Sequence, residues 1–207
     1  MQADRLQRAR SMRFYNYLVQ RASAAADAQG VSPLPLVSTL EGNSTMAAST
    51  SVSGVSDFDF FIGSWRVVHR RLKERLVNNS EWVEFEGTST AQKILGGFGN
   101  IDDNTLALPD GAYRAASLRA FDPDKKQWSI WWLDSRNPGH LDPPVVGRFE
   151  NGVGTFYAED TFNGKPIRVR FLWTQVTSSV PHWEQAFSAD AGATWETNWT
   201  MDFTKVA

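Results

Sequence analysis

Apolar and polar residues alternate with a period of two through most of the chain after residue 57. The alternation is clearest in 195–203, where the odd positions are mainly apolar and the even positions mainly polar. Segments 168–173 and 182–187 show the same pattern. Because successive side chains of a β-strand point to opposite faces, each of these segments predicts a strand with one buried face.

Turn-forming residues separate these strands at short intervals. The segments 122–124, 150–152, 163–166 and 190–192 contain the Asp, Asn, Pro and Gly residues that are typical of tight connections. They divide the chain into about nine strands with no helical pattern between them. In order, the predicted strands are 60–72, 80–93, 115–121, 127–134, 144–149, 153–161, 167–175, 182–187 and 195–203.

Sequential hairpins favour an antiparallel up-and-down meander. Closing such a meander into a barrel removes its two unpaired edges. A barrel of about eight to ten strands encloses a space that can hold one small ligand. We therefore predict an all-β, antiparallel up-and-down barrel, with a flat two-sheet sandwich as the competing architecture.

Two shorter motifs fit turns within this scheme. Leu95–Asn100 is rich in glycine and predicts a bend between strands, and Asp102–Asn104 predicts a solvated turn after it. Ser188–Trp195 matches the Asp-box of sialidase propellers. A propeller needs several copies at a fixed period, so this single copy predicts a stabilised hairpin turn.

The N-terminal part of the chain has a different pattern. Apolar residues of 1–25 recur on one helical stripe among several arginines, which predicts a basic amphipathic helix. Residues 26–56 are rich in Ser, Thr, Ala and Gly and predict a linker. The expected organisation is therefore an N-terminal helix and linker over 1–56, followed by a barrel domain over 57–207.

Three interpretations of the N-terminal helix remain open. It is an extension of the domain, a transit-type presequence, or the product of a mis-assigned start with Met46 as the natural first residue. No continuous apolar core follows the basic residues, as a secretory signal requires. No apolar run reaches the roughly 18 residues of a membrane-spanning helix. We expect a cytoplasmic protein, with the transit-type presequence as the alternative.

Composition narrows the function classes. The 207 residues carry 21 Lys and Arg against 23 Asp and Glu, a net charge of −2, which argues against nucleic-acid binding by phosphate neutralisation. The absence of cysteine excludes disulfides, thiolate metal sites and a cysteine nucleophile. The three histidines form no zinc-binding pair, so we expect no metal and no cofactor. The nine tryptophans are the unusual feature, and all of them follow residue 57. The oligomeric state and the identity of a ligand stay open.

Gly63-Ser64-Trp65 on the first strand resembles the Gly-x-Trp signature of lipocalins and other calycins, in which the tryptophan plugs one end of the barrel. Where lipocalins place an arginine near the last strand, this chain offers Lys205. Longer stretches are similar to the DUF1579 family of lipocalin-like proteins: 58–65, 95–100, 121–123 and 188–195. The resemblance covers about 57–205 and implies a calycin-like barrel, and the family supplies no common activity to carry over.

Strand parity predicts the residues that face the interior. They are Trp65, Val67, His69, Arg71, Val83, Phe85, Trp128, Ile130, Trp132, Asp134, Val169, Phe171, Trp173, Trp183, Gln185, Phe187, Trp195, Thr197, Trp199 and Met201. The 115–121 strand is ambiguous, and one of its faces would add Ser117 and Arg119. An aromatic wall with a few polar groups is the usual composition of a small-molecule pocket. The alternative is a dry core filled by the tryptophans.

The first functional hypothesis is a binding protein for a small hydrophobic or aromatic molecule. Trp65, Trp132 and Trp199 would supply apolar contact, whereas His69, Arg71 and Gln185 would orient a polar or anionic group. Arg119 and Asp134 complete the candidate site, and Asp134 is expected to pair with Arg71.

Two further hypotheses use the same fold. In an isomerase, cyclase or lyase acting on a hydrophobic metabolite, His69 would be the base, Asp134 or Glu184 would orient it, and Arg71 would stabilise an anion. In a structural or interaction module with a filled core, the Arg168 and Arg170 face or the N-terminal helix would contact a partner.

Overall fold

The computed structural model describes residues 54–206, and these form a closed barrel of ten antiparallel strands. Each strand pairs with its neighbours along the chain, and β1 closes the ring by pairing with β10. The strands are β1 (Gly63–Leu72), β2 (Trp82–Ile94), β3 (Gly99–Leu108), β4 (Gly111–Asp122), β5 (Gln127–Asp134), β6 (Val145–Glu150), β7 (Val153–Phe162), β8 (Lys165–Thr174), β9 (His182–Ser188) and β10 (Glu196–Lys205).

This architecture confirms the predicted all-β, up-and-down barrel, and the two-sheet sandwich was wrong. The predicted N-terminal helix and the linker before residue 54 lie outside the described residues, so the domain boundary stays a prediction. Within residues 54–206, no helix has the length and apolar character needed to cross a membrane.

The strand that the pattern missed is β3. Its residues Asp102–Asn104 were expected in a solvated turn, but they lie inside the strand, with Asp102 buried. The expectation was wrong because a charged inward side chain replaces the apolar one that marks a strand. The predicted bend before it exists as a short 3-10 turn, Leu95–Gly97, in which Gly96 and Gly97 adopt positive φ angles of 62° and 98°.

Aromatic residues close the barrel at the end where β1 begins, which we call the lower end. A 3-10 turn, Asp59–Phe61, lays Phe61 across this end with 1% of its surface exposed. The Phe61 ring lies 5.8 Å from Trp65, 5.0 Å from Trp173 and 5.1 Å from Phe203. The Trp65 indole N–H donates to the Phe61 carbonyl oxygen at 2.7 Å. Together with Phe58, these four residues form the floor.

The cation that lies on the floor tryptophan is a lysine. Lys205 pairs with Trp65 across the β1–β10 ladder, and its Nζ is 5.5 Å from the centre of the indole ring. Attraction between an ammonium group and the face of an indole favours this placement.

An irregularity in β10 changes which residues face the interior. The register with β9 shifts between Thr197 and Trp199, which leaves Asn198 as an extra residue. Such a bulge reverses the alternation on one side of it. The inward placement predicted for Trp195 and Thr197 is therefore wrong. Trp195 instead packs on the outer face, 5.9 Å from the ring of Tyr157.

Phe61→Ala tests the role of the floor. Removing a fully buried phenylalanine costs the transfer free energy of the ring and leaves a cavity, so we expect a loss of about 3–5 kcal/mol in the free energy of unfolding. Urea denaturation measures it. Phe98→Ala is the control, because Phe98 lies near the same end but is 40% exposed. Equal losses in the two variants would contradict the structural role of the floor.

Candidate functional site

Above the floor, the barrel encloses a cavity of about 270 Å³. Its wall combines polar and charged side chains with apolar ones, and the apolar part includes Trp132, Phe171, Trp183, Phe187, Trp199 and Met201. The Trp199 indole lies edge-on to two other indoles, 5.8 Å from Trp132 and 5.7 Å from Trp183. Such edge-to-face contacts fix the orientation of each ring, so the wall has a defined shape.

A buried ion pair lies on the wall formed by β3 and β4, just above the floor. Arg119 is 4% exposed and Asp102 is 2% exposed. The Arg119 Nη1 lies 2.7 Å from Asp102 Oδ2 and donates to Asn100 Oδ1 at 3.0 Å. The guanidinium carbon also lies 4.9 Å from the centre of the Phe61 ring. The charge at the bottom of the cavity is therefore balanced within the wall itself.

The second oxygen of Asp102 is also satisfied. Oδ1 accepts a hydrogen bond from the backbone N–H of Ser117 at 2.8 Å and another from Asn104 Nδ2 at 2.5 Å. A buried carboxylate is tolerated only when such donors replace its water. Asp102 and Asn104, two residues of the polar run that obscured β3 in the sequence, therefore belong to the hydrogen-bond network around Arg119.

Gln185 contributes a polar group on the opposite wall. Its Nε2 donates to Oδ1 of Asn198, the bulge residue of β10, at 2.8 Å, and both side chains are buried. The bulge thus supplies a partner for an inward amide that the apolar wall could not satisfy. The Gln185 side chain borders the cavity.

Arg71 and Arg75 lie at the upper end, where β1 ends. Arg71 is the second-last residue of β1, and Arg75 lies in the loop that follows. The guanidinium carbon of Arg71 lies 5.5 Å from the centre of the Trp199 ring, and that of Arg75 lies 5.5 Å from the centre of the Phe187 ring. Both arginines therefore sit over the inner aromatic wall and border the cavity.

A second pair lies across the opening. Arg136 Nη2 is 2.6 Å from Asp134 Oδ2, and the hydrogen bonds from Arg136 hold the pKa of Asp134 below its usual range. Because Asp134 is used in this way, the ion pair expected between Asp134 and Arg71 does not form. Arg136 also lies over the Tyr113 ring at 3.7 Å from its centre.

Two carboxylates complete the rim on the side of β7. Asp142 and Asp160 border the cavity with Asp134. Burial raises the pKa of Asp142, His140 opposes this shift, and the charges of Asp160 and Asp134 add to it. We call the six charged residues of the rim the mouth: Arg71, Arg75, Asp134, Arg136, Asp142 and Asp160.

His69 is 3% exposed and lies behind the aromatic wall. Its Nδ1 accepts a hydrogen bond from the Trp199 indole N–H at 3.2 Å, which assigns the ring proton to Nε2. The ring stacks on Phe85 with 4.7 Å between centres, and Nε2 lies against Gly87, where a Cβ atom would approach it to 2.6 Å. Burial and, to a smaller extent, the charge of Arg71 lower the pKa of His69 to about 3. The imidazole is therefore neutral and supports Trp199 from behind.

The structure brings most of the predicted site residues together around one cavity. Those that border it are Arg71, Arg119, Trp132, Asp134, Gln185 and Trp199. Trp65 lies in the floor and His69 behind Trp199, so neither borders the cavity. The binding role of these residues stays a prediction.

Five charged residues that border the cavity were missed. Asp102 was assigned to a turn. Arg75, Arg136 and Asp142 lie in connections that strand parity does not reach, and Asp160 lies on β7, for which no inward face was predicted. One signal in the sequence could have indicated that Arg75 and Arg136 border the cavity. Each lies within a few residues of the end of a strand whose last residues include a predicted inward side chain.

The sequence matches no family model and no curated protein. Among solved structures, the chain is similar to the S-type phycobiliprotein lyase CPES from Guillardia theta. The TM-score is 0.51 and the sequence identity 9%, over 74% of this chain and 93% of that chain. The likeness shows a shared lipocalin-like barrel fold.

Asp102→Ala tests the buried pair. It leaves the Arg119 guanidinium buried without its carboxylate, so we expect a loss of about 3–5 kcal/mol in the free energy of unfolding. Asp103→Ala is the matched control, because the neighbouring Asp103 pairs with Arg114 on the exposed face and should cost less than about 1 kcal/mol. Urea denaturation compares the two. Similar losses would show that Arg119 does not depend on Asp102.

His69→Gln tests the neutral imidazole. The unfolded chain binds a proton on this ring near pH 6.5, and the native protein does so only near pH 3. Native stability should therefore fall as the pH drops from 6.5 towards 3, by up to about 1.4 kcal/mol per pH unit from this group. Glutamine can still accept from Trp199 but does not titrate, so the stability of the variant should depend less on pH across this interval. Parallel stability curves would contradict a buried neutral His69.

Proposed function

We propose that the protein binds a small, partly hydrophobic molecule inside the barrel. The observation that carries the proposal is the cavity of about 270 Å³, which is lined by aromatic side chains together with polar and charged ones. Ligand pockets typically have volumes of about 300–1,000 Å³ and this kind of lining. The cavity volume of about 270 Å³ lies just below that range, which favours a small ligand or one whose polar end remains in the mouth.

The shared fold supports the same proposal at a coarse level. The Guillardia theta protein is described as a phycobiliprotein lyase, so a barrel of this kind is compatible with handling a small molecule. The motifs at 58–65 and 95–100 lead us to propose that the chain belongs to the lipocalin-like DUF1579 family. Neither likeness identifies a ligand.

The enzyme hypothesis receives less support from the described residues. His69 is the proposed base, but it does not border the cavity, and neither Asp134 nor Glu184 is hydrogen-bonded to it. Glu184 instead lies 3.5 Å from Arg170 as an ion pair. A general base must lie within hydrogen-bonding distance of its substrate, but Trp199 lies between His69 and the cavity.

The interaction-module hypothesis is also less favoured. It requires a filled core, whereas the tryptophans leave an enclosed space. Arg168 and Arg170, the proposed contact face, are paired with Glu159 at 2.8 Å and Glu184 at 3.5 Å. The cavity and the ion pairs of Arg168 and Arg170 therefore favour binding of a small molecule in the interior over an interaction module.

Ala158→Phe tests occupancy of the cavity. Ala158 borders the cavity, so a phenylalanine there should fill part of it and weaken binding of the neutral fluorescent probe N-phenyl-1-naphthylamine at least tenfold, about 1.4 kcal/mol. Ala107→Phe is the control, because Ala107 is exposed on β3. Fluorescence titration measures both, and circular dichroism checks that the barrel is retained.

Equal binding by both variants would place the probe outside the cavity and contradict the proposal. Native mass spectrometry of protein purified from its own source gives an independent test, because a bound small molecule adds its mass to the chain. Failure of the wild-type protein to bind the probe, together with an empty native spectrum, would overturn the proposed function.

A further inference from the structure

The arginines that border the cavity fall into two classes. Arg119 and Arg136 are each paired with an aspartate, at 2.7 Å and 2.6 Å. Among residues 54–206, Arg71 and Arg75 form no ion pair with a carboxylate. They are also the two whose guanidinium groups lie over the inner faces of Trp199 and Phe187.

The nearby acidic group, Glu196, forms an ion pair with neither arginine, although its charge acts on Arg75. Its two carboxylate oxygens accept hydrogen bonds from the Leu76 backbone N–H at 2.9 Å and 3.1 Å. Burial lowers the pKa of Arg75 to about 10, and the charge of Arg71 contributes to this. Two cations held close together in a partly desolvated place are stabilised by an anion that contacts both.

An open groove adjoins the cavity at the same place. It has a volume of about 450 Å³ and shares Arg71, Arg75 and Arg136 with the cavity. Lys73 and Glu74 also border this groove, so cationic side chains predominate in it. An apolar space thus leads directly into a polar, mainly cationic one.

The opposite rim has the opposite charge. Asp142 and Asp160 border the cavity on the β7 side, and no lysine or arginine of the described barrel is paired with either. An anionic group would be repelled from that side and attracted to the Arg71 and Arg75 side. The mouth therefore distinguishes one orientation of an elongated ligand from the other.

We infer that the ligand is a small organic acid whose apolar body occupies the aromatic cavity and whose carboxylate contacts Arg71 and Arg75 at the mouth. The inference rests on the proposed function and names the class of ligand. A guanidinium donates two parallel N–H groups to a carboxylate, and two guanidinium groups can bind both of its oxygens from different sides. Arg71 and Arg75 thus recognise the carboxylate, whereas the aromatic wall contacts the apolar body.

The test uses two ligands of nearly the same shape, 2-naphthoate and the neutral 2-naphthamide. Isothermal titration calorimetry should show that the wild-type protein binds the acid at least tenfold more tightly than the amide. Arg71→Gln/Arg75→Gln should reduce the ratio of acid to amide affinity from tenfold or more to about twofold or less. Higher salt should weaken binding of the acid more than binding of the amide.

Arg70→Gln is the matched control. Arg70 is the neighbouring residue of β1 but lies on the outer face, 3.9 Å from Glu84 and over Trp82. The control should retain the full preference for the acid. Equal affinity of the wild-type protein for acid and amide would overturn the inference, as would an unchanged preference in the double variant.

The outcome separates the inference from the function on which it rests. If both naphthalene ligands bind equally well, the cavity binds small molecules and the assignment of an acid is wrong. If the double variant still binds N-phenyl-1-naphthylamine, its loss of acid preference comes from the missing charges and not from unfolding. If the wild-type protein binds none of the three, the proposed function itself fails.

Discussion

The pairing of the first strand with the last is the interaction on which the rest of the structure depends. The ladder from Trp65 opposite Lys205 to Arg71 opposite Trp199 joins β1 to β10 and leaves no sheet edge in the described barrel. An open sheet with the same sequence would expose its aromatic face to water. Closure turns that face into an interior, and it places the floor and the mouth at the two ends of one strand.

The interior tolerates charge in two different ways, according to depth. Near the floor, Arg119 is balanced by Asp102, and each partner has further hydrogen bonds or ring contacts. At the upper end, Arg71 and Arg75 are only partly buried and lie beside an open groove. An unpaired cation is costly in a dry interior and much less costly beside solvent. The same residue type therefore has a structural role at depth and is available for recognition at the rim.

The fold was predictable because most strands carry a strict apolar alternation, and a closed meander buries such faces well. The failures occurred where polar groups face inward or the backbone departs from regular pairing. Asp102 hid β3 because its partner, Arg119, is on another strand. Asn198 shifted the register of β10 and moved Trp195 outside, and no local residue pattern marks such a bulge.

The aromatic wall of the candidate site, with Arg71 and Gln185, was predictable because these positions follow strand parity. Arg119 lies on a strand whose inward face strand parity left open, and the structure shows that this face is inward. Arg75 and Arg136 lie in connections, and their placement depends on how the loops fold back over the barrel. The expected pairing of Asp134 with Arg71 failed because a local partner two residues away is closer than one across the barrel. Asp134 therefore pairs with Arg136, its near neighbour in the sequence, and not with Arg71 across the interior.

The closed floor has a kinetic consequence. With the lower end blocked by Phe58, Phe61 and the indoles around them, a ligand bound as proposed would enter and leave through the mouth. A ligand that fills the cavity of about 270 Å³ would have to depart before another could enter. Exchange of one ligand for another would then be limited by how fast the first departs, and a higher concentration of the competitor would not accelerate it.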